Sequence, residues 1–196
     1  MYRLFNSIPQ TPSAAAHLLE DIIHGQLPMG GYWKATQLCK RPKSNNSQKN
    51  IIYATPSPGE PRIEKYFVSG SNLGIVDVVP EAFDPQPLTI YRCEFKELKF
   101  DDLGYYRPHA RNRASFNSFI VNPVKKSLFA LEFTFFDEHS VKEEGMQSLP
   151  THEYERYCIL FSAQRDVKLH MPSDFDGMWK SLWLVHVTED ALFSRH

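Results

Sequence analysis

The stretch Leu128-Phe129-Ala130-Leu131-Glu132-Phe133-Thr134-Phe135-Phe136 decides the fold class. Phe129, Leu131, Phe133 and Phe135 fall on one face of an extended chain, the period of two that marks a strand with a buried side. Outward from it the pattern repeats. Over residues 88–96, Thr89, Tyr91, Cys93 and Phe95 share one face and Ile90, Arg92, Glu94 and Lys96 the other. Residues 51–54, 73–79, 157–161 and 182–187 are apolar runs of strand length, and residues 2–6 read as a short first strand. Pro, Gly and Asp turns separate these runs, which is not the strand–helix alternation of a doubly wound parallel sheet. The expectation is an antiparallel-rich α+β fold, two packed sheets with a few helices.

One helix is legible near residues 12–24. Thr11 suits the N-cap, Pro12 the first helical position and Gly25 the residue past the end. Ala15, Leu18, Leu19, Ile22 and Ile23 recur at helical spacing and leave Glu20 and Asp21 outward.

The length of 196 residues suits a single domain spanning residues 1–196, large enough to bury a self-sufficient core. The 14 Phe and 9 Tyr favour half-buried pleated surfaces. A net charge of −1 argues against a generally basic nucleic-acid binder. Cys39, Cys93 and Cys158 are far apart and odd in number, which speaks against a disulfide framework or a zinc knuckle. The histidines are dispersed without a His-x-x-x-His spacing, so no metal site is expected. A Gly-rich phosphate loop, a Gly-x-Ser-x-Gly elbow and a kinase signature are all missing from the sequence. The opening Met1-Tyr2-Arg3-Leu4-Phe5 lacks the form of a secretory signal, and no apolar run approaches the ~20 residues of a spanning helix. The expected setting is cytoplasmic, or a host cytosol reached without a classical signal peptide, with no membrane partner.

Charge is not evenly spread. No acidic residue occurs between Asp21 and Glu60, while Lys34, Lys40, Arg41, Lys43 and Lys49 concentrate positive charge in a stretch that reads as a basic polar loop at about 34–50. Such a loop is either a solvated surface segment or an attractor of anions such as a pyrophosphate or a nucleic-acid backbone.

Three motifs carry a resemblance. Gly30-Gly31-Tyr32-Trp33, then Ile51-Ile52-Tyr53-Ala54, then Glu64 is similar to the RES-domain proteins, NAD-consuming toxins with an ADP-ribosyltransferase-like fold. Tyr2-Arg3 and Phe116 to Pro123 match further segments of that pattern, while Tyr32 and Lys34 stand where the family has arginine and asparagine. Glu153-Tyr154-Glu155 before a strand resembles the Glu-x-Glu turn of arginine-, serine- and glutamate-containing ADP-ribosyltransferases, with Arg3 and Ser115-Phe116-Asn117-Ser118 in the matching order. The resemblance implies NAD as substrate, consumed by ADP-ribosyl transfer to a protein acceptor or by glycohydrolysis, in a toxin or effector. It implies Arg3, Tyr53, Ser115 and Ser118 as NAD-binding residues, and Glu155 or Glu64 as the catalytic acid. The chemistry asks for one carboxylate beside the ribose, because cleaving the glycosidic bond builds positive charge there. The alternative is a non-catalytic protein- or nucleic-acid-binding domain that uses the basic 34–49 loop.

Overall fold

Two sheets organise the chain. The structure is a computed structural model that describes residues 12–42, 49–79, 84–94, 100–109, 116–147, 149 and 153–188. The expected strand at 2–6, Arg3, Thr11, residues 43–48, Phe95 and Ser115 lie outside these. The helix α1 (Pro12–Gln26) comes first, followed by β1 (Gly31–Gln37), β2 (Cys39–Lys40), β3 (Asn50–Ala54), β4 (Glu64–Ser69) and β5 (Gly74–Val76). Next are β6 (Thr89–Cys93), β7 (Gly104–Pro108), β8 (Ser118–Asn122), β9 (Ser127–Thr134), β10 (Glu138–Ser140) and the short helix α2 (Glu143–Gln147). The last are β11 (Glu155–Ser162), β12 (Lys168–Pro172) and β13 (Ser181–His186).

A nine-stranded sheet has the order β5-β4-β1-β13-β11-β9-β8-β7-β6, and a four-stranded sheet the order β10-β12-β3-β2. Among the described residues seven strand pairs are antiparallel and four are parallel. The α+β class, with two sheets and few helices, is therefore what the chain adopts. Its centre differs from the overall balance, because β9, β11 and β13 run parallel. Parallel strands are covered on both faces and read as nearly continuous apolar runs, as Cys158-Ile159-Leu160-Phe161 does.

Alternation along these strands divides the core. Trp33, Phe67, Phe129, Leu131, Ile159, Phe161 and Val185 join Leu19 and Ile23 of α1, and Leu27 just past its end, on one face of the large sheet. Phe119, Leu128, Ala130, Cys158, Leu160 and Leu184 join Leu169 and Met171 of β12 on the other. The result is a helix, a large sheet and a small sheet in three layers.

The small sheet is built from excursions of the large one. The link from β1 to β4 passes through β2 and β3, that from β9 to β11 through β10, and that from β11 to β13 through β12. Segments leaving the two central parallel strands are thus brought beside the segment that leaves β3.

Three sequence expectations need correction. The stretch expected as a basic polar loop at about 34–50 includes most of β1 and all of β2, and Trp33 and Ala35 are buried. Lys34 sits on the solvent side of β1 between the buried Trp33 and Ala35, and such alternation mimics a loop when polarity is averaged over the window. Gly25 does not end the helix either. α1 continues to Gln26 and a 3-10 turn over Leu27–Met29, and the stop is Gly30, whose φ of 85° favours glycine. A side chain at Gly30 would also meet Pro85 at 2.9 Å. Glu20, expected to face outward, turns toward His24 and Asn117 because both offer it hydrogen bonds.

Candidate functional site

The sequence-predicted residues do not gather. Glu64 opens β4 and pairs with Lys34 at 2.6 Å and Arg62 at 3.3 Å. Glu155 opens β11, where Lys180 at 2.5 Å and the Tyr157 hydroxyl at 3.0 Å hold its carboxyl below the usual range. The pairings Glu64 with Thr36, Thr36 with Leu184 and Leu184 with Leu160 set Glu64 level with Leu160, five residues along β11 from Glu155. At ~4.8 Å per strand and ~3.3 Å per residue, the two acids are roughly 20 Å apart.

Tyr53 and Ser118 are separated by the large sheet. Tyr53 packs against the core between the two sheets, donates to Asp176 at 3.3 Å, and burial together with that carboxylate pushes its hydroxyl up to about 12. Ser118 is fully buried on the helix face, where its Oγ accepts from the Tyr105 hydroxyl at 2.8 Å. Arg3 and Ser115 lie outside the described residues. The described positions therefore do not form one pocket, and neither Glu64 nor Glu155 lines the groove on the outer face of the small sheet.

That groove encloses about 800 Å³ across the outer face of the small sheet. Ile52 and Ala54 of β3, Lys168 and His170 of β12, and Glu138 of β10 form its floor, with registers that place Ala54, Lys168 and Glu138 in one row. One wall is the turn Thr55 to Arg62, rich in proline. Arg41 fixes that wall. Its Nη1 donates to both Glu60 carboxylate oxygens at 2.6 and 2.8 Å, and its Nη2 to the Thr55 carbonyl at 2.6 Å and Ser57 Oγ at 3.1 Å. The planar guanidinium matches this fork, as a lysine would not. Its lining also includes Asp137, three residues past β9, and Asp166, four past β11 and beside Thr55 of the wall. The groove therefore opens at the carboxyl ends of two neighbouring parallel strands, the side on which open parallel sheets take ligands.

Electrostatics give the groove a sign. Arg41 is matched by Glu60, Arg62 by Glu64, and Lys168 by Glu138 at 2.6 Å, with His170 3.7 Å from the same Glu138. Arg41 holds the Glu60 carboxyl below its ordinary range, and Lys168 does the same for Glu138. Lys40 is matched by Asp176, while Lys34 shares Glu64 with Arg62. Among the described residues Asp137 and Asp166 have no ion-pair partner, although Asp166 Oδ1 accepts from the Thr55 hydroxyl at 3.4 Å. Arg165, beside Asp166 in sequence, does not line the groove. The lining carries an excess of negative charge, where the sequence had drawn attention to positive charge. A signal for the groove was present in the run Thr55-Pro56-Ser57-Pro58-Gly59-Glu60-Pro61, a rigid turn with an acid placed to be clamped.

Two buried polar arrangements were not legible in the sequence. Beneath α1, His24 Nδ1 is hydrogen-bonded to the Tyr105 hydroxyl, while Nε2 lies 3.2 Å from Glu20 Oε1. Burial holds the His24 imidazole below its usual range. Between the sheets, Glu132 Oε1 lies 2.8 Å from His139 Nε2, and Oε2 is buried without a hydrogen-bond partner. Burial raises the Glu132 carboxyl above its ordinary value. A folded-state value above the unfolded one contributes stability below about pH 4.5 that is lost as pH rises through the folded value. Glu132→Gln, which keeps the shape without the charge, should therefore raise stability more at pH 8 than at pH 5. Urea unfolding midpoints at the two pH values check this; an equal change at both would contradict it.

Among the described residues no group of three or more His, Cys, Asp or Glu side chains is placed to hold a metal ion, and no helix is long and apolar enough to cross a membrane. Compared with known proteins, the chain matches no family model, no curated protein and no solved structure.

Proposed function

We propose that the chain is a non-catalytic protein-binding domain whose interaction site is the groove on the small sheet. The observation that carries this is the groove's position and construction: a volume of about 800 Å³ at the ends of β9 and β11, walled by a turn that Arg41 and Glu60 hold rigid. Volumes of ~300–1,000 Å³ are typical of ligand sites, and a wall fixed before binding lowers the ordering cost of association. Phe136, beside Asp137 in sequence, is 60% exposed and adds an aromatic contact of the kind interfaces favour. A lining with four acidic residues against three Lys or Arg, each of the latter within 4 Å of a carboxylate, supports a protein partner over a nucleic acid, whose phosphates need free cations.

Selection of displayed random 12-residue peptides on the immobilised chain tests this reading. Enriched peptides should lose about tenfold or more in affinity when Ile52→Trp and His170→Trp fill the floor, while the melting temperature is retained. If no peptide is enriched, or if binding ignores the filled groove, the reading fails.

A second reading is favoured by the two-sheet α+β class, which an ADP-ribosyltransferase-like NAD-consuming enzyme would also have. In it a single acid serves, and Glu155, ionised beside Lys180, fits that need better than a protonated group would. NAD at millimolar concentration should then raise the melting temperature, since a ligand selective for the native form stabilises it. An unchanged temperature removes this reading.

A further inference from the structure

We infer that a proton held between Glu132 and His139 latches β10 against the large sheet, and that its loss as pH rises frees this strand and with it one edge of the groove. The latch operates whatever the groove takes up. β10 is three residues long and pairs, among the described residues, with β12 alone. Glu138 and Ser140 are exposed, which leaves His139 as the inward position of the strand. Its imidazole reaches Glu132 of β9. The strand therefore meets the large sheet through this polar contact and through the buried Val141 just past it.

Burial makes the contact depend on a proton. Glu132 lies in the layer that also holds Ala130, Cys158, Leu160 and Leu169. Nε2 of His139 is buried too and meets Oε1 at 2.8 Å out of hydrogen-bond alignment, while Oε2 has no hydrogen-bond partner. An ionised carboxylate beside a neutral ring would be a buried charge with little to offset it. One proton, on the carboxyl or on the imidazole, makes the pair neutral overall. The surroundings do not replace it. On β11, burial and the nearby Glu132 push the Cys158 thiol well above its usual range. Across the sheet Glu20 of α1 adds repulsion, and only the Asn117 backbone amide favours the carboxylate. On β12, Lys168 and His170 turn to Glu138 on the outer face. Among the described residues neither Glu132 nor His139 has another ion-pair partner. Once the proton leaves, water must reach the charge, and a three-residue edge strand yields more readily than the sheets around it. Glu138 moves with β10, so opening leaves Lys168 unmatched in the groove.

Amide hydrogen exchange of the 15N-labelled chain at about pH 6 and about pH 8, corrected for the chemical exchange of an unfolded peptide, tests the latch. The Lys168 amide donates to the Asp137 carbonyl and the Val141 amide to the His170 carbonyl, so both report the joint between β10 and β12. Their protection should fall about tenfold or more at the higher pH, and should lie below that of the Ile159 and Leu184 amides at both, the mark of a local opening. Glu132→Gln, which keeps the shape without the charge, should remove the pH dependence. Should that variant fail to fold, the 13C shift of the Glu132 carboxyl and the 15N shifts of the His139 ring in the unaltered chain decide. A proton on one of the two that leaves in step with the protection upholds the latch. Equal protection at both pH values, the same fall in the glutamine variant, protection no lower than that of Ile159, or no proton on either group at the lower pH overturns it.

Discussion

Phe161→Ala should destabilise the chain by about 3–5 kcal/mol, the usual cost of emptying a fully buried aromatic site. Phe161 is 0% exposed on the central strand β11, with ring centroids 5.4 Å from Trp33, 5.4 Å from Phe133 and 6.3 Å from Phe67. These neighbours come from β1, β9 and β4, so one side chain ties together four strands of the large sheet. Phe133 would have to give up its edge-on contact with His24, 4.9 Å between centroids, to rotate into the void, which resists collapse of the cavity. Urea unfolding gives the value. A loss below about 1.5 kcal/mol would mean that the site collapses, and that the packing around Phe161 is looser than its contacts imply. Phe161→Leu, which retains most of the volume, should recover more than half of the loss.

Tyr105→Phe should cost about 2–4 kcal/mol although it removes a single oxygen. The Tyr105 hydroxyl donates to Ser118 Oγ and is bonded to His24 Nδ1, and all three residues are buried. Deleting it deprives two buried polar groups of a partner, at ~1–3 kcal/mol each. The diagnostic is a double-mutant cycle. Ser118→Ala removes one of the two orphaned groups, so adding it to Tyr105→Phe should cost about 1 kcal/mol less than Ser118→Ala alone. Strict additivity would show that the hydroxyl pair contributes nothing as a pair. Burial pushes the Tyr105 hydroxyl well above its ordinary value, so it stays protonated throughout these measurements.

The alternation of Phe129, Leu131, Phe133 and Phe135 located β9 and its helix-facing side, and the helical spacing of Leu19 and Ile23 located α1. Both signals are local, because the chain's own period records which side is buried. β1 was missed because its outer face carries Tyr32 and Lys34 in solvent, and counting charge hid the inward alternation of Trp33 and Ala35. Strand order was beyond reach for a different reason. Nothing local in Ser181–His186 says that it inserts between β1 and β11, since that choice is made by the fit of distant faces. The candidate site fared likewise. Tyr53, Ser118, Glu64 and Glu155 follow a family-like order along the chain, yet order constrains distance only weakly when a sheet of nine strands can separate them. Asp137 and Asp166 drew no attention as isolated acids in turns. They become neighbours of one groove only because two parallel strands end side by side.

The placement of β13 has a consequence for how the molecule is made. Ala35 must wait for Val185 before its strand gains a second neighbour, and on a ribosome that interval is on the order of ten seconds. Until then the β1–β4–β5 meander presents a bare row of backbone donors and acceptors flanked by aromatic side chains, a template for unwanted pairing. Nascent chains should therefore be most prone to aggregate, and most dependent on chaperones, just before residues 181–186 clear the exit tunnel.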